Sequence, residues 1–206
     1  GLGQPYSLKA NPPIAVFADS QIISESPYRF TASGCGDVIS KAVSVRDWRL
    51  AHEKKNDYYG EYAGNLALLG SDIIMRNVEK IRDRTEDGYR TLLEALVSCG
   101  VSMSIAGSSR PCSGSAHLIS HALDMIAPGA ALHGEQCGIG TIMMAKLHGL
   151  EWEKIRGNLT TLGAPTSAEE LGIDGETLVK AIVKAGTIRP KRYTILNETK
   201  LTRKSA

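Results

Sequence analysis

Two helical patterns meet at a break in 117-HLISHALDMIAPGAALHGE-135, and the fold depends on how this segment turns. Residues 116–126 have the apolar spacing of an amphipathic helix, and the Ala-Pro-Gly that follows interrupts it. A second helical pattern begins at Gly134. The same stretch holds three of the five histidines in the chain, so the turn between the two helices can bring imidazoles together.

Helical patterns continue on both sides of this stretch. Before it they cover residues 35–55, 61–83 (with a break near Gly70) and 87–106, and after it 151–163 and 175–188, with a further helix start at 166–169. Residues 14–19, IAVFAD, form a short apolar run typical of a strand. We therefore predict a mainly α domain of about seven to nine helices, with a short β segment at its N-terminal edge.

Composition excludes several classes of function. The 206 residues carry a net charge of +2, and the basic residues are scattered, which argues against nucleic-acid binding. No apolar run is long enough for membrane insertion. The four cysteines contain no CxxC pair and no signal peptide is evident, so we expect reduced thiols and a cytoplasmic protein.

Three histidines are candidates for a metal site. His117 and His121 are four residues apart and share one helix face, and His133 stands where the second helix begins. Neutral imidazoles at such a junction suit zinc, which in catalytic sites commonly takes three protein ligands. The alternative is that these histidines are polar helix-face residues or core residues satisfied by backbone carbonyls, and their spacing leaves both interpretations open.

Two further residues are candidates on local sequence. Asp37 follows the glycines of SGCGD, which predict a tight turn that enters a helix, so Asp37 is either a carboxylate ligand or a helix cap. Arg110 lies in SSRPCSGSAH, where serine hydroxyls and backbone N–H groups at a helix start would bind an anion. The alternative for Arg110 is a surface arginine beside a loop.

Three segments resemble one known family. SGCGDVISKAVSVRDW, SSRPCSGSAHLISHALD and LHGEQCGIGTIMM are similar to the sn-glycerol-1-phosphate dehydrogenases of archaea. That family is grouped with glycerol dehydrogenases, iron-containing alcohol dehydrogenases and dehydroquinate synthases. The resemblance covers almost the whole chain, from Gln4 to about Thr202.

The resemblance implies a role for each candidate residue. Asp37, His117 and His133 match the metal ligands, expected to bind Zn²⁺, while Asp37 and His121 match residues that contact substrate. The implied reaction is the reduction of dihydroxyacetone phosphate to sn-glycerol 1-phosphate by NADH or NADPH, a step in archaeal membrane lipid synthesis. Arg110 and the backbone of residues 113–115 are our candidates for the substrate phosphate, and we expect a homo-oligomer.

The chain departs from the family in two places. Ala116 stands where many relatives carry an acidic residue, and the glycine-rich turn that cradles the cofactor pyrophosphate is missing. We therefore expect residues 1–28 to be the edge of an α/β nucleotide-binding domain and 29–206 to be the helical metal- and substrate-binding domain. Cofactor-binding residues are then expected outside this chain, which alone would be inactive. A glycerol or polyol dehydrogenase and a non-catalytic helical metal-binding fragment are the alternatives.

Overall fold

The computed structural model describes residues 11–202 and shows an assembly of α-helices over that range. The helices are α1 (Ser20–Ser24), α2 (Tyr28–Ile39), α3 (Lys41–Lys55), α4 (Glu61–Arg76), α5 (Val78–Arg82), α6 (Glu86–Ala106), α7 (Ser115–Ile126), α8 (His133–Leu147), α9 (Trp152–Thr161), α10 (Gly175–Ile188) and α11 (Ile195–Thr199). Eight of these have ten or more residues, which agrees with the prediction of a mainly α domain. Residues 166–169 form turns rather than the predicted helix start, and α4 runs through Gly70 without a break.

The predicted β segment is wrong. Residues 14–19 lie outside any strand, and no strand occurs anywhere in residues 11–202. A strand depends on backbone hydrogen bonds to a neighbour, and this helical part of the chain offers no neighbour of that kind. Ile14 and Phe17 are fully exposed, and Asp19 instead caps α1 by accepting a hydrogen bond from the Gln21 N–H at 2.8 Å.

The centre of the fold is the packing of α2 and α7 on α8. Helix α4 covers another side of α2, α6 packs on α4, and α10 packs on α7. The buried apolar side chains of these helices form one continuous core, which includes Val38, Ile39, Ile119, Leu123 and Met144. No helix in residues 11–202 combines the length and the apolar character needed to span a bilayer.

The glycines before Asp37 do not form the predicted turn, and one of them, Gly36, serves close helix packing. They lie inside α2, and Asp37 is in the last turn of that helix instead of the first turn of the next. A Cβ on Gly36 would lie 2.4 Å from the Gly134 carbonyl oxygen, and one on Gly134 would lie 1.8 Å from the Ser33 carbonyl oxygen. Only glycine permits this approach, which sets the end of α2 beside the start of α8.

Candidate metal centre

Four side chains that can bind a metal ion converge where α2, α7 and α8 meet. They are Asp37 near the end of α2, His117 in the first turn of α7, and His133 and Cys137 one turn apart in α8. One ligand atom from each lies within 4.8 Å of the others. Asp37 Oδ1 is 3.1 Å from His117 Nε2 and 3.8 Å from His133 Nε2. The structure thus brings together the three residues that the family resemblance implied as ligands, and adds a thiol.

Charge and burial favour the ligand forms of Asp37 and His117, whereas burial raises the pKa of Cys137 and favours its thiol. Burial opposes ionisation of Asp37, but the positive charge of Lys41 and a hydrogen bond with His117 hold the pKa of Asp37 well below its usual value. Burial and Lys41 together lower the pKa of His117 to about 4. An ionised carboxylate and a neutral imidazole are the forms that bind metals, so both are ready at neutral pH.

A hydrogen-bond chain determines which nitrogen of His133 faces the cluster. Gln136 Nε2 donates to the Asp124 carboxylate at 3.0 Å, which leaves Gln136 Oε1 to accept from Ser120 Oγ at 2.6 Å. Ser120 has then donated its only hydrogen, so at 2.9 Å its oxygen accepts from His133 Nδ1. The lone pair of the neutral imidazole is therefore on Nε2, the atom that faces Asp37 and Cys137.

Lys41 is a site residue that the sequence did not indicate, because its charge suggested the solvent-facing side of a helix. Its side chain is only 2% exposed, and Nζ lies 2.9 Å from Asp37 Oδ1. Burial opposes the charge on Lys41, but Asp37 outweighs that effect and the pKa of Lys41 is raised. The sequence signal for this ion pair was the spacing of four residues between Asp37 and Lys41, which brings an acid and a lysine together on a helix.

His121 lies at the open side of the cluster. Its ring is stacked with that of His133 at a centroid distance of 6.3 Å, and its buried Nδ1 has no hydrogen-bond partner among the described residues. Burial and the positive charge of Arg189 lower the pKa of His121 to about 4. His121 is therefore a neutral side chain with an unused ring nitrogen, positioned between His133 and a basic region.

Arg110 belongs to that basic region. It lines an open cleft with Ser108, Arg189, Pro190, Lys191 and Arg192. Arg110 hydrogen-bonds the Tyr193 carbonyl oxygen at 2.9 Å and pairs with the Asp57 carboxylate. Arg192 donates to the Ser113 carbonyl oxygen and, at 2.8 Å, to Ser109 Oγ. Burial and the charges of Arg110 and Arg189 lower the pKa of Arg192 to about 10, so the cleft concentrates positive charge.

The start of α7 already holds an anion, which is the side chain of Asp47. This buried carboxylate accepts from the Ser115 N–H at 2.6 Å and from the Ile195 N–H at 2.8 Å, and His148 Nε2 lies 3.0 Å away. A Cβ on Gly114 would collide with Asp47 Oδ2 at 2.4 Å. The anion that the sequence led us to expect at residues 113–115 is thus supplied by the chain itself.

Known relatives match the chain along its whole length. It is 55% identical over 205 residues to the glycerol-1-phosphate dehydrogenase [NAD(P)+] of Thermococcus kodakarensis and 54% identical over 206 residues to that of Pyrococcus furiosus. It is 55% identical over 194 residues, or 94% of its length, to the enzyme of the same name from Methanosarcina mazei. No model of a known protein family matches the chain.

The matched region is only part of each relative. The chain spans 58% of the length of the Thermococcus protein, 60% of the Pyrococcus protein and 54% of the Methanosarcina protein. These matches confirm the family resemblance seen in the sequence, and the chain is homologous to the C-terminal part of glycerol-1-phosphate dehydrogenases.

Proposed function

We propose that this chain is the metal- and substrate-binding part of an NAD(P)-dependent glycerol-1-phosphate dehydrogenase. The reaction is the reduction of dihydroxyacetone phosphate to sn-glycerol 1-phosphate, which supplies the backbone of archaeal membrane lipids. The observation that carries the proposal is the cluster of Asp37, His117 and His133 beside a basic cleft, in a chain 55% identical to a relative of that name.

The described residues fit a zinc ion. A carboxylate and two imidazoles form a donor set that zinc commonly takes, and the Nδ1 atom of His133 is already held by Ser120. We propose that Asp37, His117 and His133 hold the ion. Bound zinc would act as a Lewis acid toward a carbonyl oxygen, and a nicotinamide cofactor would supply the hydride.

Residues around the cluster have distinct proposed tasks. Lys41 keeps Asp37 ionised and fixes one carboxylate oxygen at 2.9 Å. His121 is neutral and only partly buried, and its ring would hydrogen-bond a substrate hydroxyl and pass a proton to or from it. Arg110, with Arg189 and Arg192 in the same cleft, would bind the phosphate.

The first test is the activity of the intact purified protein with zinc, after its mass has been checked. In a protein whose mass shows that it also carries residues outside 1–206, we expect NADH or NADPH oxidation that depends on dihydroxyacetone phosphate and is lost after the metal is chelated. Residues 1–206 alone are expected to bind zinc without turnover. A higher kcat/KM for the free triol or for another polyol in the reverse direction would contradict the phosphorylated substrate and favour a polyol dehydrogenase. Bound zinc without any turnover in that longer protein would favour a non-catalytic metal-binding fragment.

Replacing Ser120 by alanine is expected to lower zinc affinity by about 10- to 100-fold, because His133 Nδ1 loses the partner that fixes its tautomer. The affinity can be measured by competition with a chromogenic chelator. Ser102→Ala is the matched control, since Ser102 is an equally buried serine that donates to the Ala63 carbonyl oxygen away from the site. Equal zinc affinities for the two variants would contradict the proposed role of Ser120.

Replacing Arg110 by glutamine is expected to raise KM for dihydroxyacetone phosphate by about 10- to 100-fold, because a charge-assisted hydrogen bond contributes about 1.5–3 kcal/mol. Steady-state kinetics will measure this effect. Arg90→Gln removes an exposed arginine that pairs with Glu86 on α6 and should leave KM unchanged. An unaltered KM in Arg110→Gln would mean that residues other than Arg110 bind the phosphate.

Three properties of the whole protein stay proposals. Residues 1–28 are proposed to form the edge of a nucleotide-binding domain, with 29–206 as the helical domain; residues 1–10 and 203–206 lie outside the described residues. The cofactor-binding residues are proposed to lie outside 1–206. We also propose a cytoplasmic homo-oligomer. Gel filtration with light scattering will test the oligomer.

A further inference from the structure

We propose that Cys137 is a fourth protein ligand of the metal, so that the centre is closed by a thiolate when substrate is absent. This inference rests on the metal centre proposed above and extends its donor set beyond Asp37, His117 and His133. It makes the site four-coordinate, with one oxygen, two nitrogen and one sulfur ligand.

The position of the thiol supports this role. Cys137 is one helical turn after His133 on α8, and its Sγ lies 3.5 Å from His133 Nε2. Sγ and the other three ligand atoms all lie within 4.8 Å of one another. Ligand atoms around a tetrahedral zinc ion are separated by roughly 3–4 Å, given bonds of about 2.0–2.3 Å, so small side-chain adjustments would place all four around one ion.

The other cysteines in the described part of the chain do not share this arrangement. The Cys112 thiol donates to the Cys99 carbonyl oxygen at 3.4 Å. Cys35 is fully buried in the apolar core. Cys137, by contrast, is buried but borders a carboxylate and two imidazoles, which is a setting for metal binding rather than for apolar packing.

Burial and the nearby Asp37 carboxylate raise the pKa of Cys137 well above its usual value. Without a metal ion Cys137 is therefore a thiol, and binding of the ion would release its proton to solvent.

Two chemical consequences follow from a thiolate ligand. A soft sulfur donor makes the centre select zinc over magnesium, which prefers six oxygen ligands. A closed centre also requires the substrate oxygen either to displace Cys137 or to enter as a fifth ligand. Substrate binding is therefore expected to lengthen or break the metal–sulfur bond.

The test is X-ray absorption at the zinc edge on the intact, unaltered protein. We expect one sulfur scatterer at about 2.3 Å together with nitrogen and oxygen scatterers. A spectrum of bound zinc that requires nitrogen and oxygen alone would overturn the Cys137 assignment while leaving the metal centre in place. A protein that binds no zinc would instead overturn the proposed centre itself, so the two failures are distinguishable.

Cobalt substitution provides the second readout. The Co²⁺ protein should show a near-ultraviolet thiolate-to-cobalt charge-transfer band, and Cys137→Ser should lose that band and at least about tenfold in metal affinity. Cys99→Ser is the control, because Cys99 is also buried but lies outside the group of ligand atoms. A band that persists in Cys137→Ser would overturn the proposal.

Discussion

Asp37→Asn is expected to reduce turnover by about a thousandfold or more and to empty the metal centre. The substitution keeps the shape of the side chain but removes the carboxylate that the two imidazoles and Lys41 face. A metal-bound carbonyl oxygen gains several kcal/mol of transition-state stabilisation, and each 1.4 kcal/mol corresponds to a factor of ten in rate. Turnover of dihydroxyacetone phosphate and zinc content by mass spectrometry measure the two effects.

A destabilised Asp37→Asn protein could lose zinc and turnover simply by unfolding, and a second substitution at Lys41 distinguishes that effect from loss of the metal ligand. Asp37→Asn leaves a buried ammonium without its carboxylate, which is expected to cost about 3 kcal/mol of unfolding free energy. Adding Lys41→Met replaces the pair with an amide and an apolar chain of similar length. The double variant should regain most of the lost stability in denaturant titrations but none of the zinc or turnover.

Asp72→Asn is the control, because Asp72 lies on an exposed part of α4. It should match the unaltered protein in zinc content, turnover and stability. Full zinc content in Asp37→Asn, or recovery of turnover in the double variant, would remove Asp37 from the proposed ligand set.

The sequence predicted the long helices and the gathering of the histidines, and local physical rules explain why. Apolar residues at steps of three and four, interrupted by Ala-Pro-Gly, define α7, the break and α8 without knowledge of any distant contact. His133 then starts a helix next to His117, and their ring centroids are 5.1 Å apart in the structure.

The errors arose where a residue acts through a neighbour that is distant in sequence. Gly36 suggested a turn, but its lack of a side chain serves contact with Gly134 on another helix. The apolar run at 14–19 suggested a strand, but no partner strand exists in the described part of the chain. In both cases local sequence identified an unusual residue pattern, and tertiary contact decided its meaning.

Contacts formed only in the folded protein also explain the two buried charged residues that the sequence did not predict to be buried. Lys41 and Asp47 look like solvent-facing charges of α3, yet both are buried. Lys41 can be buried because it pairs with the Asp37 carboxylate one helical turn away. Asp47 can be buried because it accepts hydrogen bonds from the Ser115 and Ile195 amides, which are distant in sequence. The periodicity of the sequence does not reveal the distant amides that bind Asp47, because these hydrogen bonds form only after the helices pack.

Gly134→Ala is expected to lower the free energy of unfolding by more than about 3 kcal/mol and to weaken zinc binding. The new Cβ would lie 1.8 Å from the Ser33 carbonyl oxygen, a backbone atom that cannot rotate away. Overpacking of this kind usually costs about 1–3 kcal/mol, and a clash between two backbones belongs at or above the upper end. Relief requires α8 to move from α2, which separates His133 from Asp37.

Two other helical glycines provide matched controls for this substitution. Gly157 in α9 and Gly100 in α6 have nothing within 4 Å of an added Cβ. Alanine at either position should raise stability by about 0.5–1 kcal/mol, because it lowers the entropy of the unfolded chain and favours helix. Thermal and denaturant unfolding will measure all three variants, with zinc affinity measured in parallel.

The comparison tests the α2–α8 contact directly, because the chemical change is the same at all three positions. If Gly134→Ala is as stable as the Gly100 and Gly157 variants, the two helices do not pack as closely as the structure shows. If it is destabilised but binds zinc with unaltered affinity, the packing does not position the ligands. Loss of both properties in Gly134→Ala alone is the expected result, since this contact sets the distance between Asp37 on one helix and His133 on the other.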